Sequence, residues 1–248
     1  MLAVNDLSKS YGKFLAVNRL SFTVRPGEVT GLVGPNGAGK TSTLRCVTGI
    51  IPSNGGTVRI GDIDLATDPL GAKRQLAFFP DEPRLFEHLT VEQHLHFTAR
   101  LYQLGNYGAH ADSLLADLAL SDRRRALPGE LSRGMKQKVA LACGLLHRPR
   151  LILFDEPLTG LDPAGIRSMK AMIIKLAKEG AAIVLSSHLL QLLEEVCTHV
   201  LIVKNGTKIA DGPLAEVRHR FAENPDASLE DVFFKATEDL PPSPTPGA

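Results

Sequence analysis

One short run, Gly34-Pro35-Asn36-Gly37-Ala38-Gly39-Lys40-Thr41, constrains the fold more than any other part of the chain. It matches G-x-x-x-x-G-K-[ST] and lies between Val29-Thr30-Gly31-Leu32-Val33, which reads as a strand, and a segment from Gly39 to Ile50 with Leu44, Val47 and Ile51 at helical spacing. Gly34, Gly37 and Gly39 let the backbone turn its N–H groups inward, and the helix start adds its positive end, so the loop can cradle phosphate oxygens. Lys40 supplies a point charge to the β- and γ-phosphates, and the Thr41 hydroxyl suits Mg²⁺. With Ser42 next in line, these are the expected nucleotide contacts. A chance match arises in roughly one chain of this length in a hundred, and the strand-loop-helix setting lowers that further. The motif leaves the reaction open, because such loops also serve kinases and GTPases.

Elsewhere the apolar pattern outlines an α/β chain. Leu2 to Val33 alternates between turn residues and predicts two or three strands. From about Leu85 to Arg148 the pattern turns helical: Thr90 caps a helix through Leu104, another spans Ala109 to Leu120, and a third runs from Ser132 to His147. This predicts a helical lobe inserted into an α/β core. Leu151-Ile152-Leu153-Phe154 and Ile183-Val184-Leu185 are short continuous apolar runs, the mark of strands covered on both faces and so of a parallel sheet. Asn205-Gly206 signals a hairpin within Val200 to Gly212. The expected domain covers residues 1–237, and the proline-rich residues 238–248 are expected to be a disordered tail.

Composition serves mainly to exclude. Lys plus Arg number 28 against 27 Asp plus Glu in the 248 residues, so no overall positive field gathers nucleic acid or an anionic membrane. Every apolar run falls well short of the roughly 18 residues of a membrane span. Cys46, Cys143 and Cys197 fit no paired framework or metal-ligand spacing and read as buried thiols of a reducing compartment.

Leu151 to Phe154 ends in Asp155-Glu156. In phosphate-loop NTPases an Asp at this place holds Mg²⁺, which makes Asp155 a metal candidate beside Thr41. Glu156 then projects toward the γ-phosphate, where a carboxylate can orient or deprotonate an attacking water. The plain alternative is a surface acidic pair at a strand end, which the phosphate loop disfavours. His188, after the strand ending near Ser187, can hydrogen-bond the γ-phosphate and the water. The other histidines, His94 and His96 among them, show no ligand geometry.

Taken in order, these motifs closely resemble the nucleotide-binding subunits of ATP-binding-cassette (ABC) transporters over about Leu2 to Thr237. The resemblance implies a P-loop NTPase core with a mainly parallel sheet, an N-terminal antiparallel β part and the inserted helical lobe. It implies that Tyr11 stacks on adenine, that Leu131-Ser132-Arg133-Gly134-Met135 is the signature motif, and that Leu161-Asp162 after Pro157 is the D-loop. ATP then lies in a head-to-tail dimer between one chain's phosphate loop and the other's Ser132 and Gly134. The resemblance further implies that the chain binds and hydrolyses Mg-ATP, with Lys40, Glu156 and His188 as its catalytic set, and drives a separate transmembrane permease from the cytoplasmic face of the cell membrane.

Two positions depart from the family pattern. Arg133 replaces a glycine, and Asp81 in Phe79-Pro80-Asp81-Glu82-Pro83 replaces the Q-loop glutamine, where it is expected to support Mg²⁺ as a further metal-site residue. With Leu229-Glu230-Asp231-Val232-Phe233 they resemble the subgroup that powers ABC-2-type export permeases. The competing readings are a soluble ABC-type ATPase acting on ribosomes or DNA, disfavoured by the single cassette and short helical insert, and a module that binds ATP without turnover, disfavoured by Glu156 and His188.

Overall fold

The structure, a computed structural model, describes residues 1–159, 161–221 and 227–238. The expected tail lies, from residue 239 onward, outside the described residues.

Leu2–Tyr11 (β1) and Phe14–Val24 (β2) pair antiparallel around the Gly12 turn, and Val29–Val33 (β3) leads into the phosphate loop. Lys40–Val47 (α1) is shorter than its apolar pattern predicts. Gly49, at φ 65°, terminates it: its N–H bonds Cys46 and that of Ile50 bonds Arg45, a left-handed closure that satisfies the last carbonyls. Gly55–Ile60 (β4) and Ile63–Asp64 (β5) complete an antiparallel sheet in the order β2-β1-β4-β5.

Pro69–Arg74 (α2), capped by Asp68, leads to Leu76–Phe79 (β6). The helical lobe follows with Val91–Leu101 (α3), Gly108–Asp117 (α4) and Arg133–Leu145 (α5). Thr90 caps α3 as predicted, through a reciprocal pair with Gln93. After the lobe come Leu151–Asp155 (β7), Pro163–Lys178 (α6), Ala182–Ser186 (β8), Leu190–Glu194 (α7), His199–Lys204 (β9), Thr207–Pro213 (β10), Leu214–Phe221 (α8) and Leu229–Glu238 (α9). Asn205 and Gly206, both at positive φ, turn β9 into β10 as expected.

The second sheet runs β10-β9-β3-β8-β7-β6 and is parallel throughout except for β10 at its edge. Within it β7 and β8 read as unbroken apolar runs because both their faces are covered. Along β7, Ile152 and Phe154 face the helices of the lobe and α6, where Leu95, Val139 and Ile173 join the same core. Leu151 and Leu153 face α1 and the antiparallel sheet, with Leu44, Val47 and Leu7. All four of these β7 side chains are fully buried. Phe154 stacks on Phe79 with ring centroids 5.0 Å apart. Cutting it to alanine would cost about 3–5 kcal/mol.

Parallel pairing places the carboxyl ends of β3, β6, β7 and β8 on one edge. The register makes that edge flush, with Leu32 opposite Ser186, Ser186 opposite Asp155 and Phe154 opposite Phe79. A crevice outside such an edge is where open α/β sheets hold ligands.

Candidate functional site

The phosphate loop crosses this edge between β3 and α1. Gly34 is packed so closely that a Cβ there would meet the Val203 carbonyl oxygen at 2.4 Å. Gly39, at φ 98°, would place a Cβ 2.2 Å from the Ala16 oxygen, so both the fold and the space demand glycine. Pro35, Asn36 and Gly37 form the exposed lip, and Ala38 is buried beneath it. No side chain caps the start of α1, so its first amides are left for an anion arriving from the loop.

Lys40 is buried, and its Nζ donates to the Gly34 oxygen at 2.7 Å and the Pro35 oxygen at 3.2 Å. Burial lowers its pKa from the usual lysine value, against an opposing pull from Glu156 and Asp155. Asp155 is buried at the end of β7 and accepts hydrogen bonds from the Ser186 hydroxyl at 2.7 Å and the Thr41 hydroxyl at 3.2 Å.

Thr41 and Asp155 thus bring hard oxygen donors together, as Mg²⁺ requires. Among the described residues no group of three or more His, Cys, Asp or Glu could hold a metal.

Glu156 follows in a left-handed backbone conformation at φ 54°. Its N–H donates to the Ser186 oxygen at 3.0 Å and more loosely to the Ser186 hydroxyl at 3.3 Å. Its carboxylate meets His188 Nδ1 at 2.9 Å and accepts from the His188 N–H at 3.3 Å. The imidazole is more than half exposed and the carboxylate one-fifth exposed, so the pair looks outward over the buried Asp155. Ser186 was not foreseen from the sequence. A fully buried hydroxyl closing an apolar strand was its one signal, and it now links β7, β8, Asp155 and Glu156.

Tyr11 stands at the β1–β2 turn with its ring nearly half exposed, its hydroxyl 3.4 Å from Ser42 Oγ and the Lys9 ammonium 5.1 Å from the ring centre. An exposed ring beside the loop offers a face on which a base can stack.

The remaining candidates sit apart. Ser132 caps α5, accepting from the Met135 N–H at 3.3 Å, and Gly134 lies in the first turn with the Leu161 side chain nearby. Asp162 caps α6 through the Gly165 N–H at 2.8 Å. Among the described residues, no hydrogen bond joins Ser132 or Gly134 to the phosphate loop. Asp81, beyond the end of β6, meets Arg133 at 3.4 Å, with about half of each side chain exposed. The hydrogen bonds of Thr41 and Asp155 do not include it. The two departures from the family pattern are therefore each other's partners.

His94, set aside in the sequence, is structural. His94 is buried, accepts from the Phe86 N–H at 2.9 Å and meets the Thr90 carbonyl at 2.8 Å. Cys46 and Cys197 are buried as expected, whereas Cys143 is partly open, on the wall of a cleft beside β6.

The model of the ABC transporter family matches residues 17–159, more than half of the chain, taking in the phosphate loop, the signature segment and Asp155-Glu156. The chain belongs to the ABC transporter family. As an ABC ATP-binding subunit it is 34% identical over 241 residues to the "ABC-type transporter ATP-binding protein EcsA" of Bacillus subtilis, covering 96% of this chain and 97% of that one. It is also 34% identical over 209 residues to the "Nod factor export ATP-binding protein I" of Burkholderia lata, covering 84% and 69%. A solved structure described as the ATP binding subunit of an ABC transporter superposes with a TM-score of 0.90 at 36% identity, over 96% of this chain and 99% of that one. Tyr11 and His188 lie outside the segment that the family model matches, although the strand-end geometry includes His188.

Proposed function

We propose that this ABC subunit hydrolyses Mg-ATP and drives export through a separate membrane permease. The observation that carries this reading is the pairing of Glu156 with His188 directly after the buried Asp155, on the edge that the phosphate loop crosses. The loop amides and the start of α1 bind the phosphates. Lys40, which here bonds the carbonyls of its own loop, is drawn to anionic acceptors that make stronger hydrogen bonds. Thr41 and Asp155 would hold Mg²⁺, which neutralises charge on the phosphates when bound. Tyr11 carries the adenine, and Glu156 takes the proton of the attacking water or orients it, with His188 holding the carboxylate in place.

Among the described residues of one chain, no hydrogen bond joins Ser132 or Gly134 to the phosphate loop. This supports a head-to-tail dimer in which they approach a second chain's nucleotide. Export is supported by the Nod factor export relative and by the resemblance to the ABC-2-type subgroup. No helix of the described residues is long and apolar enough to cross a membrane, and in this reading the permease is a separate chain. Docking to that chain would place this one at the cytoplasmic face.

The test is Glu156→Gln. ATP affinity by calorimetry stays within about threefold, while phosphate release falls by roughly 10²-fold or more. Near-normal release would overturn the assignment.

A further inference from the structure

We infer that Gln137 is a positioning residue for hydrolysis, holding the catalytic turn against α5 from the side opposite the sheet. The inference rests on the reading of Glu156 given above.

Glu156 occupies a left-handed conformation that residues other than glycine adopt uncommonly, at a cost in strain. On the sheet side the constraint is visible: the Glu156 N–H is held by the oxygen and hydroxyl of Ser186. Beyond Glu156 the chain closes a tight turn, the Thr159 N–H bonding the Glu156 carbonyl at 3.2 Å. On the far side of that turn the Gln137 amide donates from Nε2 to the Pro157 carbonyl at 2.7 Å, in a half-buried setting. Glu156 is thus clamped between β8 and α5, and the α5 jaw is one side chain.

Gln137 does not touch the Glu156 carboxylate. It acts through the backbone one residue away, where a shift of about 1 Å in a reacting group can cost roughly 10²-fold in rate.

The position of Gln137 on its helix adds a second consequence. It lies five residues after Ser132, so the helix that carries the signature also carries the clamp. It also lines the cleft of about 300 Å³ between β6 and the helical lobe, whose walls include Phe79, Phe86, Phe97 and Cys143. A displacement of α5, from the signature end or from the cleft, is therefore transmitted to Glu156 through this hydrogen bond.

The test compares Gln137→Ala and Gln137→Glu with wild type and Glu156→Gln in the purified full chain. Gln137→Ala lowers kcat about tenfold, leaves KM for ATP within about twofold, and lowers Tm by no more than about 4 °C. Gln137→Glu is nearly isosteric. As a carboxylate it opposes the Pro157 carbonyl, and that repulsion together with partial burial raises its pKa above the ordinary value of about 4.3; as a carboxylic acid it donates to the carbonyl. Its rate relative to wild type therefore rises several-fold as pH is lowered from 8.5 to 6. A merely structural side chain would show no such recovery.

Wild-type kcat in Gln137→Ala, or a pH-independent ratio for Gln137→Glu, overturns the inference. If Glu156→Gln is inactive in the same assay, only the clamp has failed. If Glu156→Gln turns over normally, the reading of Glu156 falls and the clamp with it.

Discussion

At the strand ends Asp155 is 6% exposed and accepts two hydroxyl hydrogen bonds, whereas at the start of α5 Arg133 and Asp81 meet at 3.4 Å with 53% and 49% of their side chains in solvent. The first half of the site is a buried polar network in which each group fixes the next, so losing one member unsettles the others. The second is an exposed ion pair of the kind worth about 0–1 kcal/mol, and it can exchange partners at little cost. Chemistry that needs fixed geometry belongs with the first half. A surface that must meet a second molecule and release it again belongs with the second.

The comparison makes its largest prediction at the buried end. Asp155→Ala leaves the hydroxyls of Thr41 and Ser186 without their acceptor and removes the carboxylate that Thr41 bonds. Phosphate release should fall by at least about 10²-fold, and the gain in ATP affinity on adding Mg²⁺ should vanish in calorimetric titration. A Mg²⁺ dependence like that of wild type would place the metal elsewhere.

Lys40→Ala comes next, removing the loop's one charged side chain. ATP should bind about tenfold or more weakly in the same titration, since a charge-assisted phosphate contact is lost. Unchanged affinity would dissociate the loop from the nucleotide.

At the exposed end the effects on the isolated chain should be small. Arg133→Ala and Asp81→Ala should each change unfolding stability by less than about 1 kcal/mol, and the double variant should show little coupling. Asp81→Ala should instead reduce hydrolysis stimulated by the permease more than it reduces ATP binding, while Asp81→Gln retains substantial turnover. Equal behaviour of all three versions in reconstituted membranes would make Asp81 a solvated loop carboxylate.

The same contrast governs what could be read from the sequence. Strand ends and the phosphate loop were legible because burial on both faces writes continuous apolar runs, and because the loop's geometry demands Gly34 and Gly39. Helix ends were not. α3 and α4 close on Gln103 and Ala119 in left-handed conformations, and Arg148 takes the same conformation just after α5. None is a glycine, so no breaker marked the boundary. The longest helix among the described residues, α6, starts at an Asp162 cap followed by Pro163, and Asp162 also fits the D-loop, so the sequence does not by itself separate a helix start from a loop there. The Asp81–Arg133 pair spans 52 positions and no local pattern encodes it. Ser186 was hidden because a serine closing an apolar run looks like an ordinary strand end.

The smallest prediction concerns the thiols. Burial pushes Cys143 up to about 11 and Cys197 up to about 12, so both remain protonated where unfolded thiols ionise. Above the ordinary thiol value of 9.0 the unfolded state then binds fewer protons, and stability declines as pH rises from about 9 toward 11. Denaturant titrations at pH 8 and 10.5 should show the decline for wild type and a smaller one for Cys143→Ser with Cys197→Ala. An identical decline would assign it to other groups.

In the proposed dimer the buried strand-end half of one chain meets the exposed signature half of another, and light scattering on Glu156→Gln measures that meeting directly. Without nucleotide the mass should be that of one chain, 26.7 kDa. With saturating Mg-ATP it should double, and adding Ser132→Arg should return it to a single chain while calorimetry still records bound ATP. A single-chain mass at full ATP occupancy, or an equally strong dimer without nucleotide, would contradict the account.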